Sequence, residues 1–217
     1  YKLKNFSSKL QKIEITYTKT TSIIFSKLIG NFQINNLITA IAIMIEMGFN
    51  RKKIEKFAVN LKPPPGRLEH IKSTKGADVY VDFAHTPDAF ENVLISIRPY
   101  VKNKLYLVFG CGGNRDKGKR SLMGQIAYKY ADIVTVTDDN PRFENLDDIN
   151  NNIIKGFSKH IYQVFSDREN GLKTALKELC FDDILIIFGK GNEEYQEIDG
   201  KKIYYSDRKI IESFYAN

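Results

Sequence analysis

Short runs of apolar residues alternate with longer amphipathic segments through the last two thirds of the chain. The runs are rich in β-branched residues and lie at 79–81, 105–109, 133–136, 161–165 and 184–188. Helical spacing of apolar residues occurs near 87–98, 120–130, 146–156, 167–179 and 206–215. Strands that are apolar on both faces are typical of a parallel sheet covered by helices. The pattern predicts an α/β domain with a doubly wound, mainly parallel sheet, whose ligands bind at the carboxyl ends of the strands.

Three consecutive prolines, Pro63 to Pro65, separate this region from what precedes it. Such a run cannot lie inside a helix or a central strand, so we interpret it as a stiff connector. Before it, the apolar spacing predicts helices over 34–48 and 54–59. We expect residues 1–64 to be the helical tail of a domain whose body lies upstream, and residues 65–217 to form the α/β domain.

The charge and the cysteine content argue against several classes of protein. The net charge of +7 comes mainly from lysines scattered along the chain, which argues against nucleic-acid binding and favours phosphorylated small molecules. Cys111 and Cys180 are far apart and lack metal-ligand spacing, so neither a disulfide framework nor a zinc site is expected. No segment has the length of a membrane-spanning helix, and the start lacks the apolar core of a signal peptide. We therefore expect a protein of the reducing cytoplasm without a membrane partner.

Polar loops follow four of the predicted strands, at 82–87, 110–120, 137–142 and 189–193. The carboxyl ends of parallel strands meet at one edge of a sheet. We therefore expect the side chains of these loops to converge on one crevice.

The loop at 110–120 is rich in glycine and nearly matches a phosphate-binding P-loop. Gly113, Gly118 and Lys119 have the required spacing, and glycines let the backbone approach an anion closely. Arg120, however, stands where a P-loop needs a hydroxyl group to hold Mg²⁺. The alternative interpretation is a glycine turn within a solvated, charged loop.

Asp139-Asn140-Pro141-Arg142, here called the tetrad, follows another predicted strand. It offers a carboxylate, a side-chain amide and a guanidinium group with several N–H donors. This set suits a zwitterionic amino acid, because arginine pairs with a carboxylate and aspartate with an ammonium group. The alternative is a proline turn that caps the next helix.

The two remaining loops carry one candidate each. His85, which follows Asp82 by three residues, is placed to stack on or hydrogen-bond a nucleotide, although a lone histidine near a strand end is often structural. Glu193, which follows Gly189-Lys190-Gly191, is either a partner for an ammonium group or the first-turn acid of a helix.

Taken together, these segments resemble the Mur ligase family, in the branch that adds meso-diaminopimelate to a peptidoglycan precursor. Seven motifs occur in the family's order, at 30–36, 65–69, 81–89, 110–120, 137–142, 189–193 and 205–208. The resemblance implies that residues 65–217 form the family's Rossmann-like carboxy-terminal domain and that residues 1–64 end its central, ATP-binding domain. Gln33, Phe83 and Asn192 depart from the family's usual Asn, Tyr and His, and Asn192 adjoins the amino-acid site.

The resemblance also implies roles for individual residues. The ATP site would include Asn36, Arg67, Asp82 and His85. The meso-diaminopimelate pocket would be lined by Arg115, Asp139, Asn140, Pro141, Arg142, Gly189 and Glu193. Arg142 would select the amino acid, because family members that add L-lysine typically lack this arginine. No residue of this chain is implied as catalytic or as a metal ligand.

The implied reaction is the formation of an amide bond with ATP and Mg²⁺. The side-chain carboxylate of UDP-MurNAc-L-Ala-D-Glu would be phosphorylated, and the amine of the amino acid would attack the acyl phosphate. The family's P-loop, its carboxylated lysine and its UDP-sugar domain are not found in these residues, so we expect the chain to need the upstream Mur ligase domains for activity. We also expect a monomer. Two other hypotheses remain, a stand-alone nucleotide-binding module that uses 113–119 and a catalytically inactive binding domain.

Overall fold

The computed structural model describes residues 1–5, 10–72, 76–159 and 161–216. They form two compact units, Tyr1–Pro63 and Pro64–Asn217. None of the helices in the described ranges combines the length and the apolar character that crossing a membrane requires.

The first unit contains a three-stranded antiparallel sheet and two helices. The strands β1 (Lys2–Asn5), β2 (Gln11–Tyr17) and β3 (Thr20–Ser26) lie side by side in that order. The helices α1 (Asn31–Glu46) and α2 (Arg51–Ala58) confirm the two predicted helices. Both layers share one core, which includes Ile13, Ile24, Ile34, Leu37, Ile41 and Ile54.

The strands of the first unit correct the description of this region as a helical tail. Strand β2 alternates buried and partly buried positions over its first residues, with Ile13 and Ile15 facing the core. Strand β3 buries Ile24 but exposes its neighbours Ile23 and Phe25. Polar residues interrupt the apolar positions of β2, so it contains no continuous apolar run. Strand β3 does contain one, Ile23 to Phe25, which the sequence prediction did not recognise.

The second unit is built on a six-stranded sheet with the strand order β4-β5-β9-β6-β7-β8. All neighbouring strands are parallel except β4, which pairs with β5 in the antiparallel direction. The strands are β4 (Glu69–Lys72), β5 (Asp78–Asp82), β6 (Leu105–Phe109), β7 (Ile133–Val136), β8 (Tyr162–Val164) and β9 (Ile184–Phe188). Strands β6 and β9 are buried at every position, as a sheet covered on both faces requires. The predicted mainly parallel α/β fold is confirmed.

Helices connect the strands of this sheet, and a hairpin follows it. The helices are α3 (Pro87–Ile97), α4 (Gly118–Tyr130), α5 (Leu146–Ile154), α6 (Arg168–Glu178) and α7 (Asp207–Ala216). They confirm the predicted helical segments. Between β9 and α7 lies an antiparallel hairpin of β10 (Tyr195–Ile198) and β11 (Lys201–Tyr204). The strands β4, β10 and β11 were not predicted from the sequence, because none of these four-residue strands contains a run of three apolar residues.

A buried ion pair joins α6 to α7. The side chains of Arg168 and Asp207 are both fully buried, and Arg168 Nε and Nη2 donate to the two carboxylate oxygens at 2.9 Å each. The same guanidinium donates to the carbonyl oxygens of Asp138 at 3.0 Å and Phe188 at 2.8 Å. Arg168 therefore connects two helices to the segments that follow β7 and β9.

A second arginine ties α4 to the segment that follows β7. Arg120, whose side chain is fully buried, donates to both carboxylate oxygens of Glu144 at 2.7 and 2.8 Å. Its Nη2 also donates to the carbonyl oxygen of Gly112 at 3.2 Å. The hydrogen bonds from Arg120 lower the pKa of Glu144 from 4.5 to about 2.

The substitution Arg168→Ala is expected to lower the free energy of unfolding of the second unit by about 3–5 kcal/mol, because it leaves the Asp207 carboxylate buried without its partner. Urea unfolding followed by circular dichroism measures this change. Lys173→Ala is the control on the same helix, since Lys173 pairs with Glu169 at a largely exposed position and such pairs contribute about 0.3–0.5 kcal/mol. A loss for Arg168→Ala no larger than that of the control would contradict the role of the buried pair.

The Arg120–Glu144 pair is expected to stabilise the fold in a pH-dependent way. Because the folded-state pKa of Glu144 lies below 4.5, its contribution is fully present above that pH and is lost as the pH falls towards about 2. The stability difference between the native protein and Glu144→Gln should therefore shrink between pH 5 and pH 2.5, within about the window in which this carboxylate titrates. Urea unfolding at several pH values measures it, with Glu169→Gln as the exposed control. A difference that stays constant over this range would rule the linkage out.

Candidate functional site

The loops after β5, β6, β7 and β9 meet at one edge of the sheet, as predicted. Gly113 N donates to the carbonyl oxygen of Asn140 at 2.9 Å, and Gly189 N donates to that of Asp82 at 3.2 Å. A Cβ atom built on Gly66 would lie 2.3 Å from Asn192 N, so the segment before β4 also reaches this edge. The candidate site is built from these contacts between loops.

The glycine-rich loop at 110–120 packs directly against the tetrad. A Cβ atom built on Gly110 would lie 2.1 Å from the carbonyl oxygen of Thr137, and one built on Gly113 would lie 1.9 Å from that of Pro141. A larger residue at either position would collide with backbone. These glycines are therefore explained by the close approach of two loops.

Lys119, which matches the lysine of a P-loop, and its neighbour Arg120 both contact other loops of the protein. Lys119 Nζ donates to the carbonyl oxygen of His85 at 2.7 Å, while Arg120 is paired with Glu144. Both side chains thus link neighbouring loops. This arrangement favours the interpretation of the loop as part of a composite site over that of a self-contained phosphate cradle.

The tetrad lies at the carboxyl end of β7, and its polar side chains face the loop after β9. Asn140, which is 7% exposed, accepts hydrogen bonds at Oδ1 from Lys190 Nζ at 2.5 Å and from Glu197 N at 2.9 Å. Its Nδ2 donates to Glu193 Oε2 at 3.3 Å. Pro141 is buried behind them. Asn140 is therefore held on three sides.

Lys190 lies at the centre of this group, although the sequence analysis does not name it as a site residue. Its side chain is fully buried, and Nζ lies 3.4 Å from Asp139 Oδ1 and 3.6 Å from Glu193 Oε2. Nζ also donates to the carbonyl oxygen of Tyr195 at 2.8 Å. Burial lowers the pKa of Lys190, and the Asp139 carboxylate opposes that shift. Its position between two glycines after a buried strand was the available signal.

Arg142 is fixed by the hairpin strand β10. Its Nε donates to Glu197 Oε2 at 2.9 Å, and its Nη1 donates to the carbonyl oxygen of Gly113 at 2.9 Å. Its backbone N donates to the carbonyl oxygen of Glu197 at 2.9 Å, and its backbone φ of 53° lies in the left-handed region. Glu197 is the second site residue absent from the sequence prediction, because nothing in the short polar strand around it signals a partner for Arg142.

The remaining predicted residues of the amino-acid pocket lie nearby. A Cβ atom built on Gly112 would be 3.0 Å from Arg142 Nη1 and 3.7 Å from Arg115 Cγ, so the exposed Arg115 lies beside Arg142. Gly189 has a φ of 106°, and a Cβ atom there would be 2.3 Å from Asp139 Oδ2. The structure therefore brings together all of the residues predicted for the pocket, which are Arg115, Asp139, Asn140, Pro141, Arg142, Gly189 and Glu193.

The chemistry of this edge matches a zwitterionic ligand. Arg115 and Arg142 offer donors for a carboxylate, and Asp139 and Glu193 offer acceptors for an ammonium group. The buried ammonium of Lys190 lies between the two acidic groups. It orients both carboxylates before a ligand arrives.

Three of the four residues predicted for the nucleotide, Arg67, Asp82 and His85, lie near the carboxyl end of β5. Arg67 lies over the ring of Phe83 at 4.8 Å, and the ring of His85 lies 4.9 Å from the same ring. The His85 Nδ1 atom is 2.9 Å from the carbonyl oxygen of Phe83. Phe83 thus supplies an aromatic surface between two exposed cationic or polar groups. The fourth residue, Asn36, is exposed on α1 in the first unit.

Asp82 differs from Arg67 and His85 because its carboxylate already accepts hydrogen bonds from backbone N–H groups. It accepts hydrogen bonds from Leu68 N and Ala84 N, both at 2.7 Å. Burial raises its pKa, and these two hydrogen bonds oppose the shift. Asp82 therefore shapes the loops that carry Arg67 and His85.

The family model and the most similar known proteins point to the same family. The model of the "Mur ligase, glutamate ligase domain" matches residues 66–191. A UDP-N-acetylmuramoyl-L-alanyl-D-glutamate--2,6-diaminopimelate ligase of Rickettsia felis is 43% identical over 210 residues, which cover 95% of this chain and 39% of that protein. The ligase of the same name in Rickettsia rickettsii is 42% identical over 209 residues, which cover 95% of this chain and 43% of that protein.

A solved structure of a ligase with this name has the same fold. It aligns with a TM-score of 0.76 and 34% sequence identity, and the alignment covers 98% of this chain and 44% of the solved chain. The chain spans about two fifths of the length of the curated relatives it matches. The family match covers more than half of the residues and includes the glycine-rich loop, the tetrad and the first residues, 189–191, of the loop after β9. On these grounds, the chain belongs to the Mur ligase family.

Proposed function

We propose that this chain is the carboxy-terminal portion of an ATP-dependent ligase that adds meso-diaminopimelate to UDP-MurNAc-L-Ala-D-Glu during peptidoglycan synthesis. The observation that carries the proposal is the arrangement of Asp139, Asn140 and Glu193 around the buried Lys190, with Arg142 hydrogen-bonded to the carbonyl oxygens of Gly113 and Asn140 in the adjoining loops. The name shared by the Rickettsia relatives supports the same substrate. In this proposal the chain supplies the amino-acid pocket and part of the nucleotide site.

The two ends of meso-diaminopimelate require different partners. Arg142 and Arg115 bind the distal carboxylate, while Asp139 and Glu193 accept hydrogen bonds from the ammonium group beside it. Asn140 lies between these groups, and Gly189 lets the backbone pass close to Asp139. L-lysine has no distal carboxylate, so its binding would leave Arg142 without a ligand partner in a partly buried pocket.

Positioning is the contribution of this chain to the reaction. The other end of the bound amino acid presents its amine to the acyl phosphate, which forms when the γ-phosphoryl group of ATP is transferred to the D-glutamate side chain. Attack of the amine forms the amide bond and releases phosphate. Holding an amine at the right distance and angle accounts for a large share of such a rate enhancement. We assign no catalytic residue to this chain.

The two units are assigned to different domains of the family in this proposal. We assign residues 1–64 to the end of the central, ATP-binding domain and residues 65–217 to the carboxy-terminal domain. Arg67 and His85 contact the nucleotide beside Phe83, and Asp82 holds their loops in place. Mg²⁺ accompanies ATP in the complete ligase. The described residues contain no group of three or more acidic, histidine or cysteine side chains placed to hold a metal ion, and we assign none of them to the metal.

We further propose that the enzyme is a monomer of the cytoplasm, where ATP and the nucleotide-linked precursor are available, and that the upstream Mur ligase domains complete it. Cys111 and Cys180 are both free thiols, which agrees with a reducing compartment.

The 217-residue chain is expected to bind meso-diaminopimelate in calorimetry. Arg142→Ala should weaken this binding by about a hundredfold, because a partly buried, charge-assisted contact is removed. L-lysine should bind the native chain about a hundredfold more weakly than meso-diaminopimelate for the same reason. Arg98→Ala is the control, since Arg98 pairs with Asp132 at an exposed position of the second unit. If L-lysine bound as tightly as meso-diaminopimelate, the substrate assignment would be wrong.

A titration with ATP separates this proposal from a stand-alone nucleotide-binding module. Because Lys119 donates to a backbone carbonyl group, the chain alone is expected to bind ATP no more tightly than about 1 mM. Lys119→Ala should leave this weak binding unchanged. Tight binding that is lost in Lys119→Ala would favour the stand-alone module instead.

A further inference from the structure

The guanidinium group of Arg142 is oriented before any ligand binds. Of its five N–H donors, the one on Nε points to Glu197 Oε2 at 2.9 Å, and Nη1 donates to the carbonyl oxygens of Gly113 at 2.9 Å and Asn140 at 3.5 Å. Within the described part of the chain, Nη2 makes no hydrogen bond. The contacts on Nε and Nη1 therefore leave one nitrogen of Arg142 for a ligand.

Glu197 contacts the tetrad through its backbone as well as its side chain. Its N donates to Asn140 Oδ1 at 2.9 Å, and its carbonyl oxygen accepts from Arg142 N at 2.9 Å. The next contact along the hairpin, from Asp199 N to the carbonyl oxygen of Arg142, is 2.8 Å long. The backbone of Glu197 is thus fixed relative to the tetrad, and its carboxylate meets the Arg142 side chain from a defined position.

We infer that Glu197 is a specificity-determining positioning residue of the amino-acid site. Its carboxylate holds Arg142 so that Nη2 faces the distal carboxylate of the ligand, with Arg115 beside it. Glu197 does not contact the ligand in this arrangement. The inference rests on the proposed function, because it concerns the pocket assigned above to meso-diaminopimelate.

The geometry explains why this contact governs specificity. A long arginine side chain loses rotational freedom when it binds, and a partner that already fixes it removes that cost. Only a ligand with a distal carboxylate uses Nη2, so only such a ligand gains from the fixed orientation. L-lysine has an ammonium group without that carboxylate and gains nothing from it.

The test compares variants of the 217-residue chain with two ligands. Glu197→Ala is expected to weaken meso-diaminopimelate binding about tenfold in calorimetry, which is the scale of one charge-assisted hydrogen bond. Binding of L-lysine, followed by NMR titration, should stay unchanged. Glu197→Gln keeps an oxygen that accepts from Nε and should bind meso-diaminopimelate within about threefold of the native chain.

A matched control and a second variant keep the result interpretable. Glu194→Ala removes a carboxylate just before β10 whose side chain is 62% exposed, and it should change neither affinity. If Glu197→Ala does not fold, as judged by thermal unfolding, Glu197→Met replaces it, because methionine removes the acceptor while filling the same space. The affinity for meso-diaminopimelate should again fall about tenfold, since the same hydrogen bond is lost.

Three results would overturn the inference. Equal weakening of both ligands would show a general structural role, and tighter binding of meso-diaminopimelate would show that the Glu197 carboxylate competes with the ligand. Unchanged binding of meso-diaminopimelate in Glu197→Ala, when Arg142→Ala has lost it, would show that Arg142 needs no such partner. Failure of the native chain to bind meso-diaminopimelate would instead refute the proposed function itself.

Discussion

A single buried ammonium group, on Lys190, holds the candidate amino-acid site together. A charge removed from water is tolerated only when polar partners surround it. Here the partners are Asn140 Oδ1, the carbonyl oxygen of Tyr195 and the carboxylates of Asp139 and Glu193. Three of these four groups belong to the predicted pocket. The need to satisfy one buried lysine therefore arranges the acidic side of the site.

Two buried arginines extend this arrangement into the fold behind the site. Arg168 binds the carbonyl oxygens of Asp138 and Phe188, at the ends of β7 and β9, while its salt bridge to Asp207 secures α7. Arg120 links α4 to Glu144, just beyond the tetrad. Loops held in this way present their side chains with little loss of freedom on binding, and that is the main requirement of the amine-positioning role proposed for this site.

The predictable part of the fold follows from local patterns. Continuous apolar runs such as those of β6 and β9 signal buried parallel strands, and the spacing of apolar residues signals the helices. The strands β1, β2 and β4 and the β10–β11 hairpin lack such runs, because half-exposed or four-residue strands mix polar and apolar positions. The short run of β3, Ile23 to Phe25, was not recognised as a strand. The predicted pocket residues do meet at one edge, whereas Lys190 and Glu197 were not identified, since their importance depends on partners across the sheet edge.

The sequence by itself determined the α/β class and showed which loops follow the parallel strands. It also determined which residue types those loops offer to a zwitterionic ligand. These features can be read from the sequence because periodicity and composition are local properties. Only the tertiary structure decided how those residues pair. Lys119 resembles a phosphate-binding lysine in sequence, yet it donates to the His85 carbonyl group, and Arg120 beside it is paired with Glu144. Likewise, the orientation of Arg142 depends on Glu197, which lies 55 residues further along the chain. Contacts over such separations are set by packing and by the satisfaction of buried charges, which no local pattern contains.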